Sequence, residues 1–151
     1  MGSTTIRGAV ATFVDVTAYH DANRLQSIID ALPEHIAVVD PAGTIVMINT
    51  AWRYFACANG DKELKASGPG ANYFNACLTG VHADDAIASA AVQGLREVLE
   101  GTRPGFSLDY PCHSPTEQRW FVMNVAPVIG KEYGAVISHV NISAGHLRTA
   151  P

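Results

Sequence analysis

The chain has 151 residues, the size of one domain, and with 48% apolar and 16% charged residues it can bury a core and is not expected to be disordered. A net charge of −4 without a basic stripe argues against a nucleic-acid partner, and no stretch approaches the roughly 18 consecutive apolar residues of a membrane span. The three cysteines are odd in number and far apart (Cys57, Cys77, Cys112), which predicts reduced thiols in a cytoplasmic protein.

An internal repeat appears near the two ends of the chain. Residues 8–20 match residues 134–146 at six of thirteen positions, and both copies resemble β-branched strands that run into a polar stop. A repeat of roughly domain length predicts a fragment of a tandem array. In that interpretation residues 1–17 contain the start of the chain and the last strand of a preceding repeat. The alternative is a chance similarity of two strands.

The next segment, residues 18–33, has helical periodicity. Its apolar positions are Leu25, Ile28, Ile29 and Leu32. They follow the i, i+3, i+4, i+7 spacing of one helix face, with Thr17 as the expected N-cap and Pro33 as the stop. The helix either lies on the sheet of its own domain or forms a short seam with a second copy. We expect a linker and dimerisation helix.

The remaining patterns alternate between strands and short helices. They predict a hairpin over 35–48, a helix capped by Asn49, a loop over 61–70, helices at 72–78 and from Asp84 or Asp85 to Glu100, and strands at 106–110, 118–128 and 134–143. Asp40-Pro41-Ala42-Gly43 has the residues of a tight turn and closes the hairpin. This order predicts an α+β domain with an antiparallel sheet.

Several of these segments together resemble a PAS domain. They are Asp40-Pro41-Ala42-Gly43-Thr44-Ile45, Asn49, Trp120 with Ala126-Pro127-Val128, and the last strand ending in Asn141-Ile142-Ser143. The resemblance implies a PAS fold over residues 34–143, with a five-stranded antiparallel sheet, short helices on one face, an N-terminal flanking helix and a C-terminal tail over 144–151. It also implies a sensory module whose parent protein carries a histidine-kinase or cyclic-dinucleotide effector.

The light-sensing LOV branch of that family allows a finer comparison. Gly70-Ala71-Asn72-Tyr73 resembles its flavin motif, but Tyr73 stands where the reactive cysteine would be. By the same resemblance Phe121 replaces a flavin-bonding Asn and His139 replaces a flavin-contacting Gln. An apolar Phe cannot hydrogen-bond a flavin, so LOV photochemistry is not expected. The cofactor is left open between haem and flavin, with His82 as a weak haem-ligand candidate and no other metal site.

Strand alternation and the resemblance together predict a ligand pocket. The expected ligand-binding residues are His139, Phe121, Met123, Ile137, Tyr73, Phe74 and Cys77. A cavity with apolar walls and one or two polar groups is the usual form of a small-molecule site, and His139 is the main polar group. Alternatively, His139 only bonds a nearby carbonyl. Trp120 faces the other side of the sheet and joins the four helix positions in a predicted homodimer interface.

Three functions follow from this interpretation. The first is a non-catalytic sensory module that binds a small molecule or cofactor and relays its presence through the flanking helices. The second is a ligand-free dimerisation scaffold. The third is a small cone-shaped isomerase with Asp109 or His139 as its base, although no second acid–base group stands at a suitable spacing.

Overall fold

The computed structural model of the protein describes residues 16–79, 85–130 and 133–145. In chain order its elements are α1 (Val16–Asp30), β1 (His35–Val39), β2 (Ile45–Ile48), α2 (Thr50–Ala58), α3 (Tyr73–Thr79), α4 (Asp85–Glu100), β3 (Phe106–Pro111), β4 (Trp120–Pro127) and β5 (Ala135–Asn141). The predicted order of elements and the α+β class are confirmed.

The strands form one five-stranded sheet in the order β2-β1-β5-β4-β3, with every neighbouring pair antiparallel. The tight turn between β1 and β2 is held by the Asp40 carboxylate, which accepts hydrogen bonds from the backbone N–H groups of Ala42 and Thr44, both at 2.9 Å. Gly43 takes a φ of 86° at this turn, and a Cβ there would lie 2.5 Å from the Phe74 ring. Both facts require glycine.

The core lies between one face of the sheet and helices α2, α3 and α4. On β4 the side chains of Phe121, Met123 and Val125 are buried, whereas Trp120 and Val122 on the other face are only part-buried. This is the alternation expected of a strand, and it defines the inner face of the sheet. Leu95 and Val98 of α4 close the core from the helical side.

Asn49 joins three elements at one end of the sheet. Its fully buried side-chain oxygen accepts hydrogen bonds from the N–H groups of Ile36 at 3.0 Å and Trp52 at 2.9 Å. Its amide nitrogen donates to the carbonyls of Ile29, Leu32 and Glu34. The predicted N-cap of α2 therefore also holds β1 and the end of α1, because a single amide can both accept and donate.

The N-terminal predictions need correction. Val16 and Thr17 lie in the first described turn of α1, so neither belongs to a strand and Thr17 is not an N-cap. The helix ends at Asp30, so Leu32 follows it, and Asn49 binds the carbonyls there. The rest of the strand predicted before residue 17 lies outside the described residues.

Helix α1 lies beside β2 and the start of α2. Its side chains reach Ile48 and Thr50, through Gln26 Nε2 to the Ile48 carbonyl at 2.9 Å and through Asp30 Oδ1 to the Thr50 N–H at 2.7 Å. Strands β2 and β3 form the two opposite edges of the sheet, and Trp120 lies on β4, next to β3. The contacts that hold α1 therefore lie away from Trp120. Within the described ranges, no helix has the length and apolar character of a membrane span.

Candidate functional site: a cavity between sheet and helices

A cavity of about 690 Å³ lies between the inner face of the sheet and helices α2 to α4. Its walls are mainly apolar and aromatic, and its mouth includes the exposed residues Ala58, Asn59 and Pro115. The aromatic side chains that line it are His35, Trp52, Phe55, Tyr73, Tyr110 and His139. Its volume falls within the range of about 300–1,000 Å³ that is common for small-molecule sites.

The structure brings four of the seven predicted ligand-binding residues to this cavity. They are His139, Met123, Tyr73 and Cys77. Tyr73 and Cys77 are four residues apart on α3, so their side chains share one helix face. His139 and Met123 are direct cross-strand partners on β5 and β4 and therefore lie side by side on the inner face.

The other three predicted residues do not line the cavity. Phe74 follows Tyr73 on α3 and therefore turns away from its face, against Gly43 and the Arg96 guanidinium, 5.4 Å from the Phe74 ring centre. Ile137 is fully buried in the core. Phe121 is also on the inner face, but it packs behind the wall, with its ring centre 5.9 Å from that of Tyr110.

His139 bonds two tyrosine hydroxyls. Its Nε2 lies 2.8 Å from the Tyr73 hydroxyl and its Nδ1 lies 2.6 Å from the Tyr110 hydroxyl. The thiol of Cys77 also lines the cavity, one helical turn after Tyr73 on α3. The indole of Trp52 packs beside the imidazole, with ring centres 5.6 Å apart. His139 therefore has specific side-chain partners inside the cavity, and the alternative of a bond to a carbonyl is not what the structure shows.

Burial keeps His139 and the groups next to it uncharged at neutral pH. It lowers the pKa of His139 to about 3, with a smaller contribution from nearby His35. Burial also raises the pKa of the Cys77 thiol to about 11 and raises the pKa values of Tyr73 and Tyr110. The site therefore presents a neutral imidazole, two neutral phenols and a neutral thiol.

A second histidine, His35, lies directly across from His139 in the β1–β5 pairing. Its ring packs on Phe55 with centres 4.5 Å apart. Burial lowers the pKa of His35, and the positive charge of Arg119 adds to that effect. The Arg119 guanidinium lies over the Phe55 ring at 5.3 Å and donates from Nε to the Cys112 carbonyl at 2.8 Å, so it links α2 to the hairpin of β3 and β4.

The loop after α2 is fixed by one carboxylate. Asp61 accepts hydrogen bonds from the N–H groups of Lys65, Ala66 and Ser67 and from the Ser67 hydroxyl at 2.7 Å, and this last bond is the main reason that its pKa is lowered. The Ser67 carbonyl in turn accepts a hydrogen bond from Trp52 Nε1 at 2.8 Å. The cavity wall formed by Trp52 is therefore held in place by the loop.

Four of the aromatic residues that line the cavity were not among the predicted site residues. Tyr110 lies on the same face of β3 as Phe106 and Leu108. The alternation of residues along β3 therefore already indicated that Tyr110 faces the inside of the domain. Trp52 and Phe55 lie three residues apart on one face of the capped helix α2. His35 is different, because its place depends on β1 pairing with β5, which no local pattern reveals.

Two alternative hypotheses, a metal site and a catalytic base, concern His82, His139 and Asp109. Among the described residues no three His, Cys, Asp or Glu side chains form a metal-binding group, and His82 lies outside those residues. Both ring nitrogens of His139 are hydrogen-bonded, so iron ligation there would break one of these bonds. Asp109 is exposed, lies on the opposite face of β3 from Tyr110 and does not line the cavity. The hypothesis that Asp109 is an isomerase base is therefore wrong.

The sequence of the chain is similar to that of a bacterial protein. An uncharacterised 104.1 kDa protein of Rhodobacter capsulatus is 45% identical over 148 residues, which are 97% of this chain. The chain spans only 16% of the length of that relative. No family model matches the chain.

Several solved structures have a fold similar to that of this chain. The PAS domain of Bordetella pertussis BvgS superposes with a TM-score of 0.59 at 20% identity, over 85% of this chain and 93% of that one. A phage VqmA–DPO complex gives a TM-score of 0.60 at 16% identity, over 89% of this chain and 59% of that one. A PAS domain from a two-component sensor histidine kinase gives 0.52 at 10% identity, over 82% and 98%.

These similarities agree with the strand order, the hairpin turn and the helices on the inner face of the sheet described above. At identities of 20% or less they establish the fold alone. The fold of this chain is that of a PAS domain.

Proposed function

We propose that the chain is a sensory module that binds a small molecule in the cavity and does not catalyse a reaction on it. The observation that carries this proposal is the cavity itself, which combines apolar walls with the hydroxyls of Tyr73 and Tyr110 and the imidazole of His139. Such a combination suits selective binding of a compact ligand. The sensor histidine kinase that shares the fold supports a signalling role.

The electrostatics of the cavity support a binding role over a catalytic one. A general base works best with a pKa near the operating pH, whereas burial holds the pKa of His139 at about 3. The Cys77 thiol, with a pKa of about 11, is a poor nucleophile because little thiolate forms at neutral pH. Both groups are better suited to hydrogen bonding than to proton abstraction or attack.

A continuous set of contacts connects the cavity with the flanking helix. Trp52 lines the cavity, and its backbone N–H donates to Asn49, whose amide binds the carbonyls of Ile29 and Leu32. A ligand that moves Trp52 would change the position of Asn49 and hence the end of α1. We infer a shift between two arrangements of this junction, biased by occupancy of the cavity.

The flanking helix is the proposed dimerisation element. Leu25 and Ile28 of α1 are 43% and 56% exposed, and Leu32 beyond its end is 42% exposed. A second copy that covers these side chains would remove apolar surface from water. On this proposal residues 34–143 form the sensory unit and residues 144–151 a tail. The parent protein is cytoplasmic and carries an effector of the histidine-kinase or cyclic-dinucleotide type.

Filling the cavity tests the binding function. Ala88 of α4 is buried and lines the cavity, and Ala86 on the same helix is exposed, so Ala88→Leu and Ala86→Leu form a matched pair. We expect native mass spectrometry of freshly purified wild-type protein and Ala86→Leu to show a bound small-molecule mass, and folded Ala88→Leu to have lost most of it. Circular dichroism checks the fold, and absorption spectra distinguish haem or flavin from a colourless ligand.

The bare mass of the chain in all three proteins would contradict the binding proposal. That result would favour the ligand-free dimerisation scaffold. Equal retention by folded Ala88→Leu would place the bound molecule outside the cavity.

A further inference from the structure

The arrangement of Tyr110, His139 and Tyr73 has a consequence for the kind of ligand that the cavity accepts, provided that the proposed binding function holds. We propose that these three side chains form a reversible, uncharged hydrogen-bond relay. The relay lets one cavity bind a flat, uncharged ring through either a donor or an acceptor on the edge of the ring.

The proton count supports the relay. A neutral imidazole has one N–H donor and one bare nitrogen acceptor, and each phenol supplies one O–H. The three groups thus hold three protons, while only two hydrogen bonds join them, one at each nitrogen of His139. One tyrosine must donate to His139 and the other must accept from it. The accepting tyrosine keeps an O–H that points away from the imidazole.

Two directions of the relay satisfy this count. In the first direction, Tyr110 donates to Nδ1, Nε2–H donates to Tyr73, and the Tyr73 O–H points away from the imidazole, on the face of α3 that it shares with Cys77. Tyr110 then offers only lone pairs to the cavity. In the second direction every bond is reversed, so that His139 carries its proton on Nδ1 and the Tyr110 hydroxyl donates into the cavity. In the interconversion, water takes the proton from Nε2 and returns one to Nδ1, and the two hydroxyls rotate, so every group stays neutral.

The ligand contacts the relay at the Tyr110 hydroxyl. Tyr110, Tyr73 and Cys77 all line the cavity, but at the other end of the relay Tyr73 shares its helix face with Cys77, whereas Tyr110 lies on β3 across from α3. A ligand with an acceptor edge therefore selects the Nδ1–H form of His139. A ligand with a donor edge selects the Nε2–H form.

The surrounding charges favour an uncharged ligand. Asp61 is the carboxylate in the cavity wall, and its oxygens are occupied by the loop N–H groups and the Ser67 hydroxyl. The Arg119 guanidinium lies over Phe55 and is bonded to the Cys112 carbonyl, outside the cavity lining. No ionic group on the relay is available to pair with a charged ligand, so a charged ring would lose its hydration without compensation.

The aromatic walls favour a flat ring. Trp52 and Tyr110 both lie beside the imidazole of His139, each with its ring centre at 5.6 Å. Aromatic rings at such spacings offer offset-stacked and edge-to-face contacts to a planar guest. A bicyclic ring with one polar edge thus fits both the shape and the polarity of the site.

Four bicyclic probes test the proposal on the intact chain: quinoline as an acceptor, indole as a donor, naphthalene with no polar edge and 2-naphthoate as an anion. We expect calorimetry to show that quinoline and indole bind about five- to tenfold more tightly than naphthalene, as one hydrogen bond predicts. The anion should bind more weakly than naphthalene. Nitrogen-15 NMR of labelled His139 should show Nδ1–H with quinoline and Nε2–H with indole.

Tyr110→Phe separates the relay from simple filling of the cavity. This variant should lose the preference for quinoline and indole over naphthalene and keep its affinity for naphthalene, while Tyr54→Phe, at an exposed position, should behave as the wild type. The same His139 tautomer with both probes would overturn the relay, even if Tyr110→Phe fails to fold. Binding of no probe would overturn the ligand class and leave the proposed sensory function to its own mass-spectrometric test.

Discussion

At the scale of single residues, the stability of the junction depends on Asn49. Both ends of its amide are used, with Ile36 and Trp52 as donors and the carbonyls of Ile29 and Glu34 among its acceptors. Because the side chain is fully buried, water cannot replace these partners when the amide is removed. One residue thus caps a helix, ends another and holds a strand.

We therefore expect Asn49→Ala to lower the free energy of unfolding by about 2–4 kcal/mol, from the lost cap and the buried groups left without partners. Asn59→Ala is the control, because Asn59 is exposed; its amide nitrogen bonds the Phe55 carbonyl of the same helix and its oxygen accepts one long, exposed bond of 3.4 Å from Arg119. The control should change stability by no more than about 0.5 kcal/mol. Urea denaturation followed by circular dichroism measures both. Equal effects would remove Asn49 from its structural role.

At the scale of elements, α1 differs from the other helices. It is amphipathic in sequence, yet no residue of it is buried in the single chain. Hydrogen bonds at its C-terminal end connect it to the domain, through Gln26, Asp30 and the Ile29 carbonyl. A helix held at one end with an uncovered apolar stripe is suited to pairing with a second copy.

If α1 is the dimerisation element, Ile28→Asp should convert a dimer to a monomer. Ile28 is 56% exposed, so a charge there costs little in the single chain but is expensive in an apolar interface. We expect light scattering to show at least a tenfold increase in the dimer dissociation constant. Ser27→Asp adds the same charge one position away, at another exposed residue of the helix, and should keep the dimer. A dimer that survives Ile28→Asp would place the interface elsewhere.

At the scale of the whole molecule, burial of the two histidines connects stability with pH. The pKa values of His139 and His35 are lowered in the folded chain, mainly by burial. Below the ordinary histidine pKa of 6.5 the unfolded chain binds protons that the folded chain does not. The free energy of unfolding therefore falls as the pH drops from 6.5 towards the folded pKa of about 3.

Between pH 7 and pH 5 we expect His139 alone to remove about 2 kcal/mol from the free energy of unfolding. His35 acts in the same direction, whereas the lowered pKa of Asp61 matters only at more acidic pH. Urea denaturation at the two pH values measures this change. His139→Gln should be less sensitive to pH by about that amount, because glutamine does not titrate. An unchanged slope in the variant would show that His139 is not buried as a neutral imidazole.

Much of the fold followed from local patterns in the sequence. The turn residues from Asp40 to Gly43, the cap at Asn49 and the alternation of β4 all act within a few residues of the chain. Their structural consequences therefore do not depend on distant partners. The order of elements and the inner phase of the strands could be predicted for this reason.

The site required the tertiary structure. Local periodicity gives the face on which a side chain lies, but not what lies opposite. Phe121 has the predicted inner phase and still packs behind Tyr110. His139 meets Tyr110 and Tyr73 only because the sheet places β5 beside β4 and the helices place α3 over both strands. The sequence by itself determined which elements form and which faces they bury. Only the packing of distant elements decided which polar groups share the cavity.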